Sequence, residues 1–350
     1  MTFTKHFRKI SEWNHPDDWI EIETIDAHTA GEPLRIILSG FPEIKGNSIL
    51  EKRKFLKDNF DYLRTSLMFE PRGHADMYGC IITPPVSNNS DFGVIFMHNE
   101  GYSTMCGHGI IAVTKVVLET GMFDKVEPTT KIKIDSPAGL ITSYAKVTNK
   151  KIDSVYFDNV PSFVLLENKL VDVPQIGKVN FDVAFGGAFY AFVDADNINL
   201  ALQTDNYKDI ISKGMLIKNA VMKNFEIKHP FDDELSFLYG TIFYSKPKSD
   251  KNHSRHVCVF ANGEVDRSPT GTGVSARAAI LYLKNQIKLN EQISIESIID
   301  TTFSVKVISE TKFGNHSAVI PQVEGNAFIT GKNTFYIAPN DPLKNGFFLR

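Results

Sequence analysis

Two seven-residue segments of this chain share one form, and they constrain the fold more than any other feature. They are Cys106-Gly107-His108-Gly109-Ile110-Ile111-Ala112 and Thr270-Gly271-Thr272-Gly273-Val274-Ser275-Ala276. Each reads X-Gly-X-Gly-aliphatic-X-Ala and leads into an apolar stretch, 110–119 or 274–283, suited to a helix buried on all sides. The upstream flanks match as well. Met97-His98-Asn99-Glu100-Gly101 precedes the first copy and Phe260-Ala261-Asn262-Gly263-Glu264 the second. Each flank is a short strand entering a glycine turn. The match predicts a duplicated α/β unit, each half wrapping strands around one apolar helix, with both helix starts pointing toward a shared cleft. Chance similarity of glycine-rich turns is the competing explanation. In register, Cys106 stands opposite Thr270.

A chain of 350 residues is long enough for two ordinary domains. Residues 1–19 read as a polar lead-in. The first domain is expected over 20–150, completed by 331–350, and the second over 151–330, with the boundary within 146–153. In the first half, strand-like runs cover 20–25, 34–38, 75–83 and 92–97. Leu56, Phe60, Leu63 and Leu67 give 49–68 a helical spacing. In the second half, strand-like runs cover 152–164, 179–193, 235–244 and 256–260, then 304–308, 317–322 and 327–330.

The formal net charge is −3, with Lys and Arg scattered, which argues against nucleic acid or a membrane surface as partner. No stretch approaches the ~20 apolar residues of a membrane span. Three cysteines, Cys80, Cys106 and Cys258, suit a reducing compartment better than a disulfide scaffold. Residues 5–9 are basic in the manner of a transit peptide. Glu12, Asp17 and Asp18 follow, and such peptides are poor in acids, so the expected location is the cytoplasm.

A helix N-terminus offers unpaired N–H groups and partial positive charge, and glycine lets a ligand approach that backbone closely. A carboxylate or phosphate is the natural guest. The glycine spacing fits neither a phosphate loop nor the dinucleotide fingerprint, so a small carboxylate between two opposed helix starts fits better. At such a start the Cys106 thiolate is expected to be favoured over the ordinary thiol, whose pKa is about 8.5, and to act as base or nucleophile. An inert buried cysteine is the alternative; it suits Cys80 and Cys258, which lie in strand-like runs. His108 either orients a substrate carboxylate or caps the turn. Two positions apart, Cys106 and His108 are expected to point in different directions. No C-X-X-C, H-E-X-X-H or histidine cluster accompanies them, so no metal site is expected. Asp266, four residues before Thr270, either binds a secondary ammonium or closes a turn.

Five motifs together resemble the proline racemase superfamily, which includes 4-hydroxyproline epimerases and trans-3-hydroxy-L-proline dehydratases. They are Asp26-Ala27-His28-Thr29-Ala30-Gly31-Glu32-Pro33, Arg72-Gly73-His74-Ala75-Asp76-Met77-Tyr78-Gly79, Met105-Cys106-Gly107-His108-Gly109, Phe185-Gly186-Gly187-Ala188-Phe189 and Asp266-Arg267-Ser268-Pro269-Thr270-Gly271-Thr272-Gly273. The resemblance implies an α/β (α+β) fold of two pseudo-symmetric domains, as in diaminopimelate epimerase, with strands around a central helix in each and the cleft between them. It implies no cofactor, a small imino-acid substrate and a homodimer. It also implies that Gly107, His108, Gly271 and Thr272 bind the substrate carboxylate and Asp266 the ring ammonium.

Racemases and epimerases of the family carry cysteine at both helix starts. Thr270 departs from that pattern and resembles the dehydratase branch. Racemisation needs a base on one face of Cα and an acid on the other, and a threonine hydroxyl is too weak an acid near neutral pH. In trans-3-hydroxy-L-proline the Cα hydrogen and the hydroxyl share a face, so one acid–base group serves a syn elimination. Cys106 is then the proton acceptor, returning the proton to the departing hydroxyl, and Thr270 a positioning residue. The alternatives are a proline racemase or 4-hydroxyproline epimerase, and a non-catalytic binder of proline-like amino acids.

Overall fold

A computed structural model describes residue 9 and residues 12–349. All but the last residue of the basic stretch that invites a transit-peptide reading, and much of the lead-in, lie outside the described residues. Among those described, four helices of thirteen or more residues stand out: α1 Ile49–Met68, α2 Gly107–Glu119, α3 Tyr207–Asn224 and α4 Gly271–Leu283. The strands form one continuous hydrogen-bonded network. None of these helices is long and apolar enough to cross a membrane.

The duplication extends far beyond the two glycine segments. In the first half, Glu32–Ile37 runs through α1 into a parallel partner, Tyr78–Thr83. Phe92–His98 then returns antiparallel, α2 follows, and Thr129–Ser136 comes back parallel to Phe92–His98. In the second half, Phe189–Asp194 runs through α3 into its parallel partner, Leu238–Ser245. Ser254–Phe260 returns antiparallel, α4 follows, and Ile293–Glu296 comes back parallel to Ser254–Phe260. Ile20–Thr29 lies between Glu32–Ile37 and Ala327–Ile337, as Gly177–Phe185 lies between Phe189–Asp194 and Ser162–Val173. The halves join through equivalent strands, Lys151–Asp158 pairing with His316–Gly325.

Side-chain alternation explains the layers. Along Phe92–His98, Phe92, Val94 and Phe96 face the core around α2, while Ile95 and Met97 face α1. In the second half Cys258 and Phe260 face α4, while Val257 and Val259 face α3. Strands covered on both faces read as unbroken apolar runs. Residues Gly107–Thr114 of α2 and Gly271–Leu281 of α4 are all buried, so both helices are sheathed by strands. Burial of each such Ile, Val or Leu stabilises the fold by about 1.5–3 kcal/mol.

Among the elements that apolar spacing did not mark are α3 and the strands Thr129–Ser136, Gly139–Thr148 and Ile293–Glu296. Helix α3 buries Ile210, Gly214, Ile217 and Val221 at helical spacing. Gly214 breaks that stripe in the sequence, because a Cβ there would stand 2.7 Å from Val259 Cβ. Two expected strands are each divided. The run 152–164 breaks at Asn159-Val160-Pro161, and the run 179–193 breaks at Gly186-Gly187-Ala188.

Candidate active site

The two helix starts meet head to head. A Cβ built on Gly107 would lie 2.6 Å from Gly271 Cα, and one on Gly271 would lie 2.7 Å from Gly107 Cα. Only glycine permits this approach at either position. The first-turn amides of Gly107, His108, Gly271 and Thr272 have no intrahelical acceptor and belong to two helix starts in direct contact. Two such N-termini, brought together, favour a negatively charged group.

Cys106 is the N-cap of α2, with extended backbone, and its Sγ accepts a hydrogen bond from Gly109 N at 3.2 Å. Thr270 is the N-cap of α4, but its φ is +70° and its side chain caps nothing. A β-branched residue in that region carries strain of order 1–3 kcal/mol. The Thr270 hydroxyl has no nitrogen or oxygen partner and lies against the thiol of Cys258. Cys258, expected to be an inert strand residue, is therefore a direct neighbour of the site. Cys80 is buried and free in its strand, its pKa raised by burial alone.

Two sequence expectations about Cys106 are corrected. Its side chain and that of His108 converge: Sγ lies 3.3 Å from His108 Nδ1. Helical spacing does not govern the pair, because Cys106 precedes the helix and its extended backbone turns the thiol back over the first turn. Nor is the Cys106 thiolate favoured over an ordinary one. It is 5% exposed, and its pKa lies well above the ordinary thiol range. Burial is the main cause; the Gly109 N–H and the Tyr78 hydroxyl pull it down, while Asp266 and Glu32 push it up. Desolvation thus outweighs the helix start.

His108 is held neutral chiefly by burial; Asp266 opposes this, as does the hydrogen bond its ring donates to the Pro33 carbonyl. Its backbone carbonyl accepts from Thr29 Oγ1 at 2.9 Å, tying α2 to the first strand. Thr272 Oγ1 pairs with Tyr190 Oη at 2.7 Å. Asp266 Oδ1 accepts from Ser268 N at 2.8 Å, and Ser268 Oγ from Thr270 N at 3.1 Å. Asp266 therefore closes the turn, and its buried charge is felt by Cys106 and His108.

Glu32 is a site residue that motif reading did not single out. It is 1% exposed; Oε2 accepts from Arg267 N at 2.7 Å, and Oε1 has no partner. Burial first, then the neighbouring Asp266 charge, raises its pKa, against the pull of Arg267. A glutamate between glycine and proline carries no sign in the sequence of this depth. Arg267 also donates to the Asp76 carbonyl at 2.8 Å, so the Asp266-Arg267 turn is anchored to loops of the first half.

Next to Cys106 in the chain, Ser103 and Met105 line a cleft of about 560 Å³ between the halves, with Gly187, Ala188 and Tyr239 opposite. Arg53, Lys57, Arg64 and Lys218 line it together with Asp61, Glu100 and Glu234, and Arg53 pairs with Glu234 as Arg64 does with Asp61. Among the described residues no group of three or more His, Cys, Asp or Glu is arranged to hold a metal ion.

Comparison with known proteins agrees with this geometry. Residues 24–348 match the family model for proline racemase. A trans-3-hydroxy-L-proline dehydratase of Colwellia psychrerythraea is 49% identical over 98% of this chain and 97% of its own. A proline racemase of Acetoanaerobium sticklandii is 43% identical over 93% of this chain and 98% of its own. The crystal structure of a hydroxyproline epimerase from Agrobacterium vitis, with trans-4-hydroxy-L-proline bound, superposes with a TM-score of 0.87 at 30% identity, covering 94% of this chain and 96% of that one. With both halves, the paired helix starts and the length of the match in agreement, the chain belongs to the proline racemase family.

Proposed function

We propose that the protein is a trans-3-hydroxy-L-proline dehydratase, a hydro-lyase that needs no cofactor. One observation carries the reading: a titratable acid–base group stands at only one of the two helix starts, Cys106 against Thr270. The dehydratase name of a relative at 49% identity supports it.

In this reading the substrate carboxylate lies on the first-turn amides of Gly107, His108, Gly271 and Thr272, where charge develops as Cα loses its proton. Asp266 holds the ring ammonium, and its charge keeps that nitrogen protonated and Cα–H more acidic. Cys106 takes the Cα proton, the C3–O bond breaks, and the departing hydroxyl is protonated from that same face. The enamine tautomerises to Δ1-pyrroline-2-carboxylate. Thr270 fills the other face without exchanging protons.

Incubation with trans-3-hydroxy-L-proline and detection of the cyclic imine tests the reading; absence of imine overturns it. The family's racemase and epimerase members supply the rival, supported by the 43% relative. A dehydratase leaves the optical rotation of L-proline and 4-hydroxyproline unchanged, and a drift toward zero would favour the rival. With cis-3-hydroxy-L-proline, whose hydroxyl lies opposite the Cα hydrogen, no imine is expected; turnover comparable to the trans isomer would show that elimination does not depend on a shared face.

Acid–base behaviour gives a further check. In the free enzyme the Cys106 thiol titrates above an ordinary thiol, so its basic form is scarce at neutral pH. The expected kcat/KM therefore rises with pH through about 8.5, the ordinary thiol value, without levelling there. A plateau reached by neutral pH would mean the thiolate is already the resting form.

A further inference from the structure

The dehydratase reading leaves one step without an owner. Hydroxide is a poor leaving group, so the C3 oxygen must receive a proton as its bond to carbon breaks. That oxygen lies on the same face of the ring as the Cα hydrogen, and so on the face turned to Cys106. Among the described residues, the Cys106 sulfur has Gly109 N and the His108 ring as hydrogen-bond partners, with a third polar group beside it. Gly109 N–H is a peptide amide and serves as the helix cap. The neutral His108 ring has one N–H, committed to the Pro33 carbonyl. The third is the hydroxyl of Tyr78, set beside the thiol by a ring that meets His108 edge-on, where it favours the thiolate.

Tyr78 is built to hold that hydroxyl still. It is 4% exposed and lies in the strand Tyr78–Thr83. Its ring stacks on His98 with centroids 5.5 Å apart and meets His108 edge-on at 4.8 Å. Its Oη shares a short hydrogen bond, 2.5 Å, with Ser103 Oγ. Ser103 lines the cleft between the halves, so the phenol stands between that cleft and the thiol.

We propose that Tyr78 is the acid of the elimination: it protonates the departing 3-hydroxyl and recovers its proton from Cys106. Resting on the dehydratase reading, the balance closes without an outside reagent. The Cα–H bond breaks, its proton goes to the Cys106 thiolate, and its electron pair becomes the new C2=C3 bond. The C3–O bond breaks with its pair staying on oxygen, and the Tyr78 O–H proton joins that oxygen to make water. The phenolate then takes the thiol proton of Cys106 across their contact, restoring phenol and thiolate. Ser103 is a positioning residue that aims the phenol.

A leaving group that needs no proton separates this role from a structural one. Trans-3-chloro-L-proline places chloride where the hydroxyl stood and yields the same imine. For Tyr78→Phe, water loss from trans-3-hydroxy-L-proline is expected to fall at least about 100-fold, within the ordinary contribution of a general acid. Chloride loss should stay within about threefold of wild type, since no acid is needed for it. Ser103→Ala should show the same selective loss to a smaller degree. Parallel loss of both eliminations in the two variants, or no loss of either, overturns the proposal. Failure of the wild-type protein to dehydrate the hydroxy acid would instead overturn the dehydratase reading itself.

Discussion

Cys106→Ser is expected to lower imine formation from trans-3-hydroxy-L-proline by at least about 10³-fold, a loss typical of removing a positioned general base. The substitution is close to isosteric and should spare the fold. Serine is among the preferred N-cap residues, so its hydroxyl inherits the hydrogen bond from Gly109 N that the thiol now accepts. What changes is basicity: an alkoxide is far less accessible than a thiolate, even one whose formation is opposed by burial and by Asp266 and Glu32. Binding of the product or of L-proline, read by calorimetry, should survive within a few-fold, because the carboxylate-binding amides belong to the backbone. Full turnover by the serine variant would sink the single-base mechanism. Loss of binding together with turnover would place Cys106 in substrate recognition rather than proton transfer.

The sequence made one part of this site legible and concealed another, for physical reasons. Glycine carries meaning wherever a side chain is sterically forbidden, so the paired Gly-X-Gly segments pointed to two helix starts facing one cleft, while the direct contact of Gly107 with Gly271 is visible only in the fold. Apolar periodicity revealed α2 and α4 because a helix sheathed by strands must be apolar on all sides. Helix α3 escaped because its stripe is interrupted where Gly214 packs against Val259. Electrostatics was the least legible. The helix start at Cys106 argues for a thiolate, but its depth argues against one more strongly, and depth depends on strands from both halves. The same holds for Glu32, whose partner Arg267 lies in the other half of the chain. The contact of Cys106 with His108 was misjudged because a cap residue does not follow helical spacing.

Thr270→Cys is expected to create an activity where none is measurable: inversion of L-proline at Cα, with deuterium from solvent appearing in the D-isomer. The two caps occupy equivalent places in the duplicated fold, and Gly107 and Gly271 bring them to opposite sides of one contact. A thiol at 270 would supply the second-face acid that a hydroxyl cannot, its ordinary pKa being about 8.5. The new side chain enters a position where Thr270 is strained at φ +70°, and removal of the β-branch eases that strain. Cys258 is an immediate neighbour, so the assay needs reductant to keep the new thiol free. Thr270→Ser is the control: it relieves the same branch without adding a titratable group, and should keep dehydration within several-fold of wild type and gain no inversion. If reduced Thr270→Cys exchanges no deuterium into D-proline, the hydroxyl of Thr270 does not face Cα, and the correspondence between the two caps is one of folding alone.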